Sequence, residues 1–148
     1  MFYYSNKFTL IILINLDYFA IGTNSKSIKI FNIKPILQRF NKKNSYNFKN
    51  IMDYNNMEHE DISLTLEQKN HHLGSIYCLD WSLTGRLIAS GSNDKTVKLM
   101  VVPDLEESFG YKDKESLELM IQGHQGTVRS VCFEPTSDLI LLSAGTSK

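Results

Sequence analysis

The sequence has little that would take it into a membrane or out of the cell. Its apolar N-terminal run, residues 8–16, covers nine positions, whereas a membrane helix needs about 20. The only two cysteines, Cys78 and Cys132, fall at non-equivalent strand positions, and no Asn-x-Ser/Thr glycosylation acceptor occurs. These features favour free thiols in a reducing, cytoplasmic compartment. A secretory signal remains an alternative, because Lys7 precedes the apolar run, although no small-x-small cleavage site follows it.

Net charge is absent as well. The 16 basic and 16 acidic side chains cancel, so no overall field would attract nucleic acid or a membrane surface. We therefore expect the partners to be other proteins, with no nucleic acid and no membrane.

Residue patterns that would support catalysis are also missing. His71 and His72 are adjacent and the two cysteines are far apart, so no metal-ligand spacing is present. His59, between two glutamates, lies in a segment that would not hold an acid or base in place. No phosphate-binding loop or nucleophile elbow occurs. The sequence predicts a non-enzyme with no cofactor and no metal.

What the sequence does contain is a repeated phrase. Residues 19–30 match residues 88–99 without a gap at a constant offset of 69, and a third copy begins at residue 142. A second phrase, His-x-Gly followed by a hydroxyl residue and a β-branched residue, begins at His72 and again at His124. Self-similarity over tens of residues indicates a repeat architecture, in which each unit buries its apolar face against its neighbours.

The repeated unit is predicted to be β-structure throughout. Residues 74–81, 87–90 and 96–101 are rich in β-branched and aromatic side chains and are separated by polar turns. Alternating residues at 62–66 and 117–121 predict the outer strands. This all-β meander with a His-x-Gly opening resembles the WD-repeat β-propeller family, whose blades have four strands and about 40–45 residues.

The resemblance implies a set of hydrogen-bonded side chains that braces each blade. The set comprises a loop histidine, a Ser or Thr on the second strand, an Asp in the next turn and a Trp on the third strand. The middle repeat supplies His72, Ser90 and Asp94, and the last repeat supplies His124 and Ser143. No copy has the tryptophan. We expect these five residues to be internal struts rather than ligand-binding groups, because buried polar groups must be paired.

The length predicts an incomplete propeller. At about 40–45 residues a blade, the 148 residues hold about three blades, whereas a closed propeller needs about four to eight. We expect a partial propeller over residues 18–148, preceded by an N-terminal apolar segment, residues 1–17, whose place in the propeller stays open. Residues 34–61, rich in Asn and Lys, are predicted to be a poorly ordered insert.

Positive charge is concentrated in one stretch, which we call the basic strip. Residues 26–49 contain seven Lys or Arg and no Asp or Glu. Such a stretch is typical of a solvated loop or of a docking site for an acidic partner. The candidate partner-binding residues are Lys34, Arg39, Lys42, Lys43 and Lys49.

Within the WD-repeat family, the resemblance is closest to microtubule-associated scaffolds, and residues 71–78, 89–95 and 124–129 are among those that carry it. It implies a non-catalytic scaffold that binds other proteins, in the cytoplasm or at the cytoskeleton. The alternative is a substrate-recognition or regulatory subunit of a ubiquitin ligase or similar complex, since both functions use the same fold. Either would present rigidly held loops, such as residues 74–75 and 126–127.

Overall fold

The computed structural model describes residues 9–12, 17–42, 62–105 and 117–147 of the chain. Within these residues the elements are β1 (Thr9–Ile12), β2 (Tyr18–Gly22), β3 (Ile28–Asn32), α1 (Lys34–Lys42), β4 (Ser63–Gln68), β5 (Ile76–Trp81), β6 (Leu87–Ser92), β7 (Val97–Val101), β8 (Glu118–Ile121), β9 (Val128–Phe133) and β10 (Leu141–Gly145).

The strands form three antiparallel meanders. β1 to β4 make one four-stranded sheet, β5 to β8 make a second, and β9 pairs with β10. The repeat seen in the sequence is also a repeat of register: Ala20 pairs with Ile30, and 69 positions later Ala89 pairs with Leu99. The described residues thus comprise two four-stranded blades and two strands of a third, which confirms the predicted all-β, partial-propeller fold.

The tight turns of the first two blades share one backbone conformation. Lys26 and Lys95, again 69 positions apart, both have positive φ, at 68° and 72°. Asn and Asp tolerate left-handed backbone better than lysine does. In this chain the lysine takes it, which leaves the preceding Asp94 side chain free to accept hydrogen bonds.

The apolar core lies between blades rather than within them. Because alternate residues of a strand face opposite sides, Ile88 of β6 packs toward the first blade and Ala89 packs toward the third. We call the apolar layer between two neighbouring blades a seam. The first seam, between the first and second blades, also contains Ile28, Ile30 and Met100, all at most 1% exposed. Met100 stands where the family resemblance implies a tryptophan, so apolar packing replaces a polar side chain at that position.

A repeated glycine lets neighbouring blades approach. A Cβ atom on Gly22 would lie 2.5 Å from Ile76 Cγ2, and one on Gly91 would lie 2.5 Å from Cys78 Sγ and 2.6 Å from Val128 Cγ1. Real Cβ atoms do not come that close, so any larger residue would push against the first strand of the same or the next blade. The two glycines occupy equivalent positions in the repeat.

The insert begins with a helix rather than a loop. Asn32 Oδ1 accepts a hydrogen bond from Lys34 N at 2.8 Å, which caps the first turn of α1. Ile36 and Leu37 are both half-buried. The structure has a helix at residues 34–42, within the range predicted to be a poorly ordered insert, and a capped start and an apolar pair favour the helix there. Residues 43–61 lie outside the described part of the chain.

The N-terminal apolar segment contributes a strand. β1 pairs antiparallel with β2, from Thr9 opposite Gly22 to Ile12 opposite Phe19. This places residues 9–12 in the first blade, in the position that β5 takes in the second. Among the described residues, no helix is long and apolar enough to cross a membrane.

Candidate functional site

Two adjacent histidines share one hydroxyl group at the entry to the second blade. His71 and His72 are 0% and 1% exposed, and the Nε2 atom of each lies 2.8 Å from Ser90 Oγ. Their rings meet edge to face, with centroids 4.9 Å apart. Ser90 is itself 0% exposed. The three side chains form the centre of a network that we call the histidine pair network.

On the side of His72, the network is hydrogen-bonded to the turn after β6. His72 Nδ1 lies 2.9 Å from Asp94 Oδ2, and the same oxygen accepts a hydrogen bond from Leu73 N at 2.9 Å. Thr96 donates its amide and its hydroxyl to Asp94 Oδ1, at 2.9 and 2.7 Å. Burial opposes the charge of Asp94, but the hydrogen bonds from Thr96 and Leu73 outweigh it and hold the pKa of this carboxyl well below its ordinary value.

On the side of His71, the network is hydrogen-bonded to β8, the last strand of the second blade, and to the first blade. His71 Nδ1 lies 2.7 Å from Glu118 Oε1 on β8. The same carboxylate accepts hydrogen bonds from Gln68 Nε2 of the first blade at 3.0 Å and from Lys98 Nζ at 2.9 Å. Burial raises the pKa of Glu118, but the hydrogen bond and positive charge from Lys98 and the hydrogen bond from His71 more than offset it and lower the pKa overall.

Ser90 has fewer protons to donate than there are acceptors around its hydroxyl group. Ionised carboxylates accept only, so the Nδ1 atoms that face Asp94 and Glu118 both carry protons. Each neutral imidazole then presents Nε2 as an acceptor to Ser90 Oγ. A hydroxyl has one proton to donate, and Lys98 O also lies 3.3 Å from Ser90 Oγ, so the two histidines and this carbonyl oxygen compete for the same proton.

Burial also lowers the basicity of both imidazoles. It lowers the pKa of His71 to about 4 and lowers the pKa of His72, in both cases against the opposing pull of the neighbouring carboxylate. The folded chain therefore keeps His71 neutral where the unfolded chain, with an ordinary histidine, takes up a proton.

We expect acid to destabilise the fold between pH 6.5 and pH 4. In that window the unfolded state binds more protons than the folded state, so the free energy of unfolding falls as the pH falls. His71 alone should account for a loss of about 2 kcal/mol by pH 5. Urea denaturation at pH 7.5, 6.5 and 5 would measure it. A His71→Gln chain should lose the part of this dependence that comes from His71 and keep the part from His72, and a His124→Gln chain should keep all of it. Equal stability of the unmodified chain at pH 7.5 and 5 would contradict the expectation.

The third repeat has a reduced version of the same arrangement. His124 Nε2 lies 2.8 Å from Ser143 Oγ, but the contact is exposed. The position equivalent to Asp94 is Ser147, which is also exposed. Among the described residues, the network is complete in the second blade, where His72, Ser90 and Asp94 meet.

Three of the five predicted partner-binding residues, Lys34, Arg39 and Lys42, lie within the described part of the chain. Lys34 Nζ lies 3.6 Å from Asp17 Oδ2, so this positive charge has a partner inside the chain. Arg39 and Lys42 belong to α1, while Lys43 and Lys49 lie outside the described residues.

The network has the connectivity of an acyl-transfer triad without its accessibility. Glu118, His71 and Ser90 are linked in the order carboxylate, imidazole, hydroxyl, as nucleophilic catalysis requires. Ser90 Oγ, however, is enclosed by the blade, and a nucleophile must reach its substrate. No group of three or more His, Cys, Asp or Glu side chains among the described residues could hold a metal ion. The arrangement can brace the blade and hold the loop above it.

These features define a β-propeller built from WD-type blades. The family model named "WD domain, G-beta repeat" matches residues 63–99 and 115–148. With the fold described above, these matches identify WD40 repeats in these two parts of the chain.

Several known proteins are similar to the chain. Protein HIRA from Homo sapiens is 30% identical over 123 residues, which are 77% of this chain and 11% of that protein. THO complex subunit 3 from Arabidopsis thaliana is 30% identical over 84 residues, 56% of this chain and 25% of that protein. The solved structures of U3-55K and of the RRP9 WD40 repeats each give a TM-score of 0.62 at 13% identity, covering 95% of this chain and 33% of theirs. The chain thus spans a third or less of each relative.

Proposed function

We propose that this chain is a non-catalytic scaffold that binds partner proteins through the loop between β4 and β5. WD40-repeat proteins serve as protein-interaction scaffolds. The observation that carries the proposal is Leu73, which is 86% exposed although both residues before it are almost completely buried.

The loop is held rigidly enough to present that side chain. Leu73 N donates to Asp94 Oδ2, and Asn93 N donates to Ser75 O at 3.1 Å. Gly74 provides the space for the Asn93 side chain, which a Cβ atom at that position would overlap. Because the backbone is already ordered, a partner that packs on Leu73 pays little further conformational entropy. An exposed leucine on an ordered loop is suited to a protein contact.

The enclosure of Ser90 supports the non-catalytic part of the proposal. The only side chains in the network with triad connectivity lie under the loop, where a substrate has no route to the hydroxyl. We assign the network a structural role: it fixes the position of Leu73.

The test is to remove the apolar contact and compare the partners that remain bound. In quantitative affinity purification, a tagged Leu73→Asp chain should recover at least tenfold less of its specific partners than the unmodified chain. Its melting temperature should not change. Leu64→Asp, at a 48% exposed position on β4, is the matched control and should keep them. Equal recovery of all partners by the two variants would overturn the proposal.

The same experiment separates the finer hypotheses. Resemblance to WD repeat-containing protein 47, also called nemitin, and the basic strip are the grounds for proposing a microtubule-associated, cytoplasmic scaffold. Tubulin among the proteins lost from Leu73→Asp would support it. Ubiquitin-ligase subunits among them would support the alternative, a substrate-recognition or regulatory subunit. THO complex subunit 3, one of the relatives, is by its name a subunit of a complex, and a third outcome is loss of subunits of another stable assembly.

A further inference from the structure

The exposed Leu73 side chain belongs to a loop that is bonded to two lysine-bearing turns. His72 N donates to Lys26 O, in the turn of the first blade, at 3.3 Å. Leu73 N donates to Asp94 Oδ2, in the turn of the second blade, at 2.9 Å. Lys26 and Lys95 occupy equivalent positions of these two turns, and both are exposed. We use the name Leu73 surface for Leu73 together with the exposed residues Lys26, Lys69, Lys95 and Arg129.

The Leu73 surface has an excess of positive charge. The segments that form it, residues 23–27, 69–77, 92–96 and 124–129, contain four Lys or Arg and a single carboxylate, that of Asp94. Both oxygens of Asp94 already accept hydrogen bonds within the chain. Among the described residues, the ion pairs of lysine with a carboxylate involve Lys29, Lys34 and Lys98, not the cations of this surface. An acidic partner would therefore meet complementary charge, which favours both its encounter and its orientation.

Arg129 is positioned in advance for contact with a carboxylate. Its guanidinium carbon lies 4.4 Å from the centroid of the Tyr77 ring, in a cation–π contact. The two residues are each the second residue of their strand, β9 and β5. A guanidinium that stacks on a ring by its face can still donate hydrogen bonds from its edge to a carboxylate. Because the side chain already has a contact that orders it, less conformational entropy is lost on binding.

An acidic peptide fits this surface better than a nucleic acid does. Single-stranded nucleic acids bind through positive charge together with aromatic rings on which the bases stack. Apart from histidine, Tyr77 is the only aromatic residue in the four segments, and Arg129 covers one face of its ring. Leu73, 86% exposed, offers instead an apolar contact for one side chain of a partner.

We infer that the Leu73 surface binds an acidic segment of a partner protein, in which Asp or Glu residues flank one apolar residue. The apolar residue packs on Leu73, and the carboxylates pair with the surrounding lysines and with Arg129. The inference rests on the proposed scaffold function and names the chemical class of the partner at that same site.

Titration of the ¹⁵N-labelled chain with a defined peptide is the test. The probe is an acetylated, amidated peptide with four glutamates on each side of one leucine. The amide resonances of Leu73 and Lys95 should move as the peptide binds, and their shifts give the dissociation constant. The same peptide with glutamine in place of glutamate should bind at least tenfold more weakly. Raising the salt should weaken binding of the glutamate peptide at least threefold, because the Debye length shortens from about 10 Å at 0.1 M to about 3 Å at 1 M.

Neutral variants separate the charges from the loop. A chain with both Lys26→Asn and Lys95→Asn keeps residues that tolerate the left-handed backbone of the two turns. It should bind the glutamate peptide about two- to thirtyfold more weakly, since one exposed ion pair changes affinity by about 1.5- to fivefold. Arg86→Asn is the matched control, because Arg86 is exposed and lies at the opposite end of the strands, in the turn between β5 and β6. It should leave the affinity unchanged.

Three results would overturn the inference. These are equal affinity for the glutamate and glutamine peptides, equal affinity of the two-lysine variant and the Arg86→Asn chain for the glutamate peptide, or tighter binding of a twelve-nucleotide oligothymidylate, which would assign the surface to nucleic acid. If one of these occurs while Leu73→Asp still loses partners, the acidic class is wrong and the scaffold function stands. If Leu73→Asp loses none, the scaffold function fails whatever the glutamate peptide does.

Discussion

Replacing Ser90 with alanine should lower the free energy of unfolding by about 3 kcal/mol. The substitution removes the hydroxyl that lies 2.8 Å from Nε2 of both His71 and His72. The hydroxyl supplies one proton, so its loss leaves one further buried acceptor unpaired where water cannot replace the donor. Such a loss costs about 1–3 kcal/mol, and the complete burial of Ser90 places it at the upper end of that range. Chemical denaturation, with the m-value checked for constancy, would measure the change.

Ser143→Ala is the matched control. This serine occupies the equivalent position in the third repeat and contacts one histidine, His124, in an exposed setting. Water can take over that contact, so the loss should stay below about 1 kcal/mol. Similar losses at the two positions would show that Ser90 does not serve two buried histidines.

Replacing Gly91 with alanine should destabilise the chain by about 2–3 kcal/mol through overpacking. The new Cβ would sit 2.5 Å from Cys78 Sγ and 2.6 Å from Val128 Cγ1. Both contacts lie in the seam between the second and third blades, where Cys78 is 7% exposed and Val128 is 0% exposed. Well-packed seams of this kind do not expand without loss of contacts elsewhere.

A double-mutant cycle makes this expectation specific. Val128→Ala alone should destabilise by removing buried methyl groups. In the Gly91→Ala background it should cost less, or restore stability, because it removes one of the clashing atoms. The interaction energy should exceed about 0.5 kcal/mol. Strict additivity of the two changes would mean that the glycine does not set the distance between the blades.

The repeat in the sequence was enough to predict most of the fold. Alternating apolar residues predicted β5 to β8, because strand side chains repeat every two residues and the turns between them are polar. Helix α1 was missed because Asn and Lys dominate the insert. The spacing of Ile36, Leu37 and Phe40, at i, i+1 and i+4, is the signal that could have indicated it.

The site was predictable where it follows a local motif and not where it depends on distant strands. His72, Ser90 and Asp94 were named from their positions in the repeat, and the structure brings them together. His71 and Glu118 were missed, since their contact joins residues that are 47 positions apart. Only the pairing of β8 with β7 brings Glu118 to the histidine, and the sequence of a single chain does not state that distance.

The single oxygen between the two histidines joins parts of the molecule that otherwise have little in common. Glu118 on the outermost strand and Asp94 beneath the Leu73 loop each hold one ring, and both rings draw on Ser90 Oγ. A change that alters the hold of Glu118 on His71 alters how much of the Ser90 proton His72 receives. We therefore expect the outer edge of the blade and its top loop to be thermodynamically coupled, and coupling of this kind acts equally in both directions. A partner that binds at the outer edge should change the affinity of Leu73 for its own partner, and a partner at Leu73 should change the affinity at the edge by the same factor.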